Sequence, residues 1–146
     1  MEVKSYNLKL EQGKAVCFDF DGVIHKYREG WKDGTIYDID NYEMIKLISF
    51  LQNAKIPVFI CSTREPEQIK NWWINQKINI PITIIDDETF WNDIFVVGVT
   101  NRKLPAQLYI DDRAYKYDGQ TMKEFIIENS ELLESEETND KNNKKG

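Results

Sequence analysis

The chain has 146 residues, 41% of them hydrophobic and 30% charged, with a formal net charge of −6. That is enough for one domain with a full core in the ordinary composition range of globular proteins, and the acidic balance weighs against a dedicated nucleic-acid binder, which carries a basic face. No apolar stretch approaches the ~20 residues of a membrane span, and residues 1–5 contain no signal-peptide core, so no membrane partner and a cytoplasmic location are expected.

In chain order, the run 15–20 (Ala-Val-Cys-Phe-Asp-Phe) reads as a buried strand that stops at Gly22. Asp19 and Asp21 stand at i and i+2, so they share one face of that strand. They emerge at its carboxyl end, where open α/β sheets bind ligands. Two like charges held so close repel unless a cation or a shared proton relieves them. The pair therefore reads as a site.

Residues 23–40, with Gly30 and Asp33-Gly34, suggest a hairpin or flap, too short for a folded cap domain. Asp40 with Glu43 has capping-box spacing for a helix whose apolar positions are Met44, Leu47, Ile48 and Leu51. A second buried strand over 57–61 runs into Ser62-Thr63-Arg64. Pro66 suits the first turn of another helix, with Ile69, Trp72 and Trp73 facing inward. Strands follow over 82–85 and within 94–99, the latter leading to Asn101-Arg102-Lys103. A short strand at 107–110 ends in Asp111-Asp112. Thr121 and Glu124 can cap a last helix through Leu133, and 134–146, almost without apolar residues, reads as a disordered tail beyond a single domain over 1–133. Cys17 and Cys61 form no CxxC pair and read as reduced structural thiols. His25 reads as an exposed loop histidine, and Tyr27, Trp31 and Tyr37 either pack the flap or stack on a substrate. Strands alternating with helices give an α/β class: a parallel sheet with helices on both faces.

Parallel strands bring all their carboxyl ends to one edge, so the groups after these strands can converge. Taken together, CFDFDG, VFICST, Lys103 and LYIDD resemble, in order, the four motifs of the haloacid dehalogenase (HAD) superfamily of phosphohydrolases. The closer run TNRK…YIDDRA is similar to small capless phosphatases of that type from bacteria and phages. The resemblance implies a three-layer Rossmann-like sheet without a cap domain. It implies hydrolysis of a small phosphorylated metabolite or nucleotide through an aspartyl-phosphate, with Mg²⁺ as cofactor. Asp19 is then the nucleophile, Asp21 the general acid and base, Ser62 a donor to the phosphoryl oxygens, and Lys103 a cation for both. The implied metal ligands are Asp19, the backbone carbonyl of Asp21, and Asp112, with Asp111 acting directly or through water.

Several assignments stay open at this level. Thr63 competes with Ser62 as phosphate donor, and Arg102 stands beside Lys103. Arg64 and Arg113 can each contact substrate phosphate or pair with a neighbouring carboxylate. Without a cap the cleft is expected to be open, to a bulky ester or to a covering partner chain. Two other functions share the ingredients: removal of a terminal phosphate from nucleic acid, and a phosphoacceptor domain of the receiver type without turnover. The first sits poorly with the acidic charge. The second places its acidic pair side by side on the first strand, unlike Asp19 and Asp21.

Overall fold

The computed structural model describes residues 8–131. The elements run β1 (Val16–Phe18), α1 (Tyr42–Asn53), β2 (Val58–Cys61), α2 (Pro66–Asn75), β3 (Ile82–Ile84), β4 (Val97–Thr100), β5 (Leu108–Ile110) and α3 (Met122–Asn129). The chain divides into two compact units, one ending at Arg113 and one beginning at Ala114. The expected tail at 134–146 lies outside the described residues; the last helix, expected to run through Leu133, ends at Asn129, where Ser130 turns extended. No helix among those described is long and apolar enough to cross a membrane.

The first unit is built on a five-stranded sheet of order β3-β4-β2-β1-β5, in which every neighbouring pair is parallel. From β1 the chain moves to β2 and on to the edge strand β3, comes back to insert β4 between β3 and β2, and then places β5 on the other side of β1. The reversal opens a crevice at the carboxyl ends of β1 and β5, the position where doubly wound sheets bind ligands.

Alternation along the strands sorts the core into two layers. Val16, Phe18, Val58, Ile60, Val97 and Val99 point to one face and meet Ile48 and Leu51 of α1 and Ile69, Trp72 and Trp73 of α2. Cys17 and Phe59 point the other way, toward Ile85, Trp91 and Leu104. Helices were expected on both faces; within this unit α1 and α2 share one, and loop side chains close the other. Gly98 is what admits that closure: a Cβ there would overlap Ile85 and Trp91.

Two local expectations change. Asn41, not Asp40, caps α1 by accepting from the Glu43 backbone N–H. Asp40 is still extended there, bridged antiparallel to His25. The hairpin expected at 23–40 contracts to that bridge and the bonds closing its base, Lys26 N–H to Ile39 O and Asn41 N–H to Ile24 O. Between them the chain makes successive turns, with positive φ at Tyr27, Gly30, Lys32 and Gly34, and such a run cannot keep the alternation a ladder needs. Arg28 holds the loop together instead, its backbone N–H and Nε donating to Asp38 Oδ2 at 3.0 and 2.9 Å.

In the second unit, Thr121 and Glu124 form the capping box read from the sequence, each side chain satisfying the other's backbone N–H. Tyr115 packs edge-on against Phe125 at 4.9 Å.

Ile60 lies fully buried in β2 between β1 and β4. Ile60→Ala should therefore cost about 2–5 kcal/mol, read as a lowered urea midpoint at unchanged m-value.

Candidate functional site

Four strand ends supply the groups at the crevice. Asp19 follows β1, Ser62 follows β2, Asn101 to Lys103 follow β4, and Asp111 and Asp112 follow β5. The β1–β5 register pairs Phe18 with Ile110, and the Asp19 N–H donates to Ile110 O at 2.8 Å, so Asp19 and Asp111 come next, side by side. All of these groups but Arg102, together with Tyr27, Trp31, Cys61, Thr63 and Arg113, line a cleft of about 460 Å³.

Asp19, Asp111 and Asp112 each present a carboxylate oxygen, and the three atoms lie within 4.8 Å of one another. Asp112 reaches this position because Gly22 has no side chain: a Cβ there would overlap the Asp112 carboxylate. Gly22 also sits at φ +86°, in the left-handed region. The Asp19 carboxyl is pushed up to about 6, first by burial and then by the charges of Asp111, Asp112 and Asp21. An all-carboxylate donor set of this kind suits a hard divalent cation such as Mg²⁺.

Asp21 lines the same cleft, yet its side chain takes no part in that triad. Arg64 Nε donates to Oδ1 at 3.1 Å and Oδ2 at 2.9 Å, and His25 Nδ1 lies 2.8 Å from Oδ1. Arg64 is accordingly buried at 3% exposure and is absent from the cleft wall. Its Nη1 donates to Gly34 O at 2.6 Å, and its guanidinium stacks on Trp31, 4.4 Å from the ring centroid. Of the two roles open to Arg64, the carboxylate pair is the one formed.

Geometry also separates Arg102 from Lys103. Arg102 Nη2 donates to the carbonyls of Asp86 and Glu88, which turns it away, while Lys103 lines the cleft with its ammonium 4.8 Å from the Tyr109 ring centroid. Ser62 Oγ accepts from the Arg64 backbone N–H at 3.2 Å, which leaves the hydroxyl proton for the cleft. Thr63 also lines it, so both hydroxyls remain available. Arg113 is in the wall, its backbone N–H donating to Asp111 Oδ1 at 2.8 Å.

Two residues read otherwise from the sequence. His25 is fully buried, not exposed: an aromatic cage of Phe20, Tyr27, Tyr37 and Trp72 encloses its ring. Cys61 belongs to the cleft wall. It and Cys17 are free thiols, and their mutual interaction lowers the Cys61 thiol while raising that of Cys17.

No family model, curated protein or solved structure matches this chain.

The Asp19 shift sets a pH dependence. Its folded value of about 6 exceeds the ordinary 3.8, so between these values only the folded chain holds the proton, and that stabilisation is lost as pH rises through 6. Asp19→Asn removes the charge at every pH. In the absence of divalent cations the variant should match the parent near pH 4 and exceed it above pH 6, as measured by denaturant midpoints at both values.

Proposed function

We propose that this chain is a Mg²⁺-dependent phosphomonoester hydrolase that works through an aspartyl-phosphate on Asp19, with a small phosphorylated metabolite or nucleotide as substrate. The reading carries with it a capless HAD-like domain. The observation that supports it most is the carboxylate triad of Asp19, Asp111 and Asp112 within 4.8 Å, in one cleft with Lys103 and Ser62. Anionic ligands for a cation and separate donors for an anion are what a phosphate ester with its metal requires.

Asp19, Asp111 and Asp112, with the backbone carbonyl of Asp21, would hold the ion. Bound there, it neutralises the carboxylates and offsets the charge of the transferring phosphoryl group. A carboxylate oxygen of Asp19 attacks phosphorus as the bond to the leaving oxygen breaks, and Asp21 gives that oxygen a proton. Asp21 then takes a proton from the water that attacks phosphorus, the acyl-phosphate P–O bond breaks, and Asp19 and inorganic phosphate are released. Lys103 and the Ser62 hydroxyl donate to the phosphoryl oxygens throughout, where preorganised donors act most strongly. Gly22 keeps Asp112 close enough to share the ion with Asp19.

The decisive measurement is sustained phosphate release from a chromogenic monoester with Mg²⁺. Asp19→Asn should abolish it, and chelation of the metal should do the same reversibly. Lys103→Ala should lower kcat by about 10²–10³-fold. One stoichiometric phosphorylation without turnover would instead indicate a phosphoacceptor domain, and no reaction with any monoester would end the enzyme reading.

In a separate binding measurement, Gly22→Ala should weaken Mg²⁺ affinity, followed by calorimetric titration, because its Cβ displaces the Asp112 carboxylate.

A further inference from the structure

We propose that His25 is a positioning residue: its Nδ1–H fixes the Asp21 carboxyl group for proton transfer, and the flap residue Asp38 dictates which ring nitrogen does so. The inference rests on the phosphomonoesterase reading and assigns a role to the chain's single histidine.

The tautomer follows from one contact. The Asp38 backbone N–H donates to His25 Nε2 at 3.0 Å. A backbone N–H has no accepting capacity, so Nε2 must carry the lone pair and the ring proton sits on Nδ1. That nitrogen is 2.8 Å from Asp21 Oδ1, and the bond therefore runs from imidazole to carboxylate. The ring has no freedom to do otherwise. It is fully buried, stacked on Phe20 at 5.5 Å and met edge-on by Tyr37 at 5.3 Å and Trp72 at 5.8 Å.

Asp38 is itself fixed from several directions. Arg28 donates twice to its Oδ2, Ile39 N–H donates to Oδ1 at 2.9 Å, and Trp72 Nε1 donates to its carbonyl at 3.1 Å. A continuous hydrogen-bonded path thus leads from the flap through Asp38 and His25 to Asp21. Arg64 grips Asp21 from the other side. A buried ring N–H needs an acceptor in any case; here that acceptor is a cleft-lining carboxylate and not a backbone carbonyl. That bond places an oxygen that, in the proposed reaction, must meet a leaving group within hydrogen-bond reach.

Two measurements on the full chain test this. First, ¹⁵N spectra of the lone imidazole should show a protonated Nδ1 and a bare Nε2 at neutral pH, with the Nδ1 proton losing its exchange protection in Asp21→Ala. A ring protonated on Nε2 overturns the inference without any activity assay. Second, kinetics should depend on how much the leaving oxygen needs a proton. His25→Phe keeps the packing and removes the donor. Its kcat on an alkyl phosphate should fall ~10–100-fold at unchanged KM, whereas on p-nitrophenyl phosphate, whose leaving group is stable as an anion, the loss should be about tenfold smaller. His25→Asn, with an amide N–H in the Nδ1 position, should recover most of the alkyl-ester rate. If His25→Phe does not fold, His25→Gln gives the same comparison, because its longer amide reaches the Asp38 N–H and leaves Asp21 without a donor. Equal loss on both esters, or no loss, overturns the positioning role while leaving the hydrolase reading intact. A parent protein without turnover but with the Nδ1 tautomer ends the hydrolase reading and reduces His25 to a structural group.

Discussion

Three carboxylates crowd one end of a sheet, and holding them together with Asp19 half-buried is the constraint that the candidate site depends on. Parallel pairing of β1 with β5 sets Asp19 and Asp111 side by side, and the bare Cα of Gly22 lets Asp112 press in beside them. Burial and the neighbouring charges raise the Asp19 carboxyl to about 6, a direct sign that the folded chain bears an electrostatic cost here. Such a cost persists in a structure only where the rest of the fold over-determines it. Here the determinants are the sheet hydrogen bonds and the core on either face of β1.

Asp21 shows the opposite arrangement one residue pair away. Its carboxylate receives Arg64 and His25, so the two aspartates of one short motif live in contrasting surroundings. Among the described residues no ion pair reaches Asp19, Asp111 or Asp112, whereas Asp21 is fixed by donors. The partners of Asp21 also connect it to the flap, through Asp38 on one side and through Gly34 and Trp31 on the other. Flap and Asp21 form one hydrogen-bonded assembly.

The elements themselves were largely legible. The apolar periodicities of α1 and α2, the capping box at Thr121 and the β-branched runs all act over a few residues, and each appears near its expected place, the run from 94 starting as a strand only at Val97. The cap of α1 moved from Asp40 to Asn41 because a bridge to His25, fifteen positions upstream, keeps residue 40 extended. The flap hairpin is reduced to its base because four residues with positive φ interrupt it. Neither effect has a signature in local composition, since both depend on contacts across the loop.

The sequence alone determined that acidic, hydroxyl and basic groups stand directly after β-strands, because strand patterning and turn residues are local properties. Which of those groups face one another was decided only by tertiary structure. Arg64, Arg102 and Lys103 are equivalent as letters, yet one is buried against Asp21, one is bound to the 86–88 carbonyls, and one faces the cleft. His25 is polar and loop-borne, and still becomes fully buried because Asp21 and the Asp38 N–H satisfy both ring nitrogens. Partners for charged and polar side chains are chosen by burial and by distant backbone, and neither is encoded within any short window of residues.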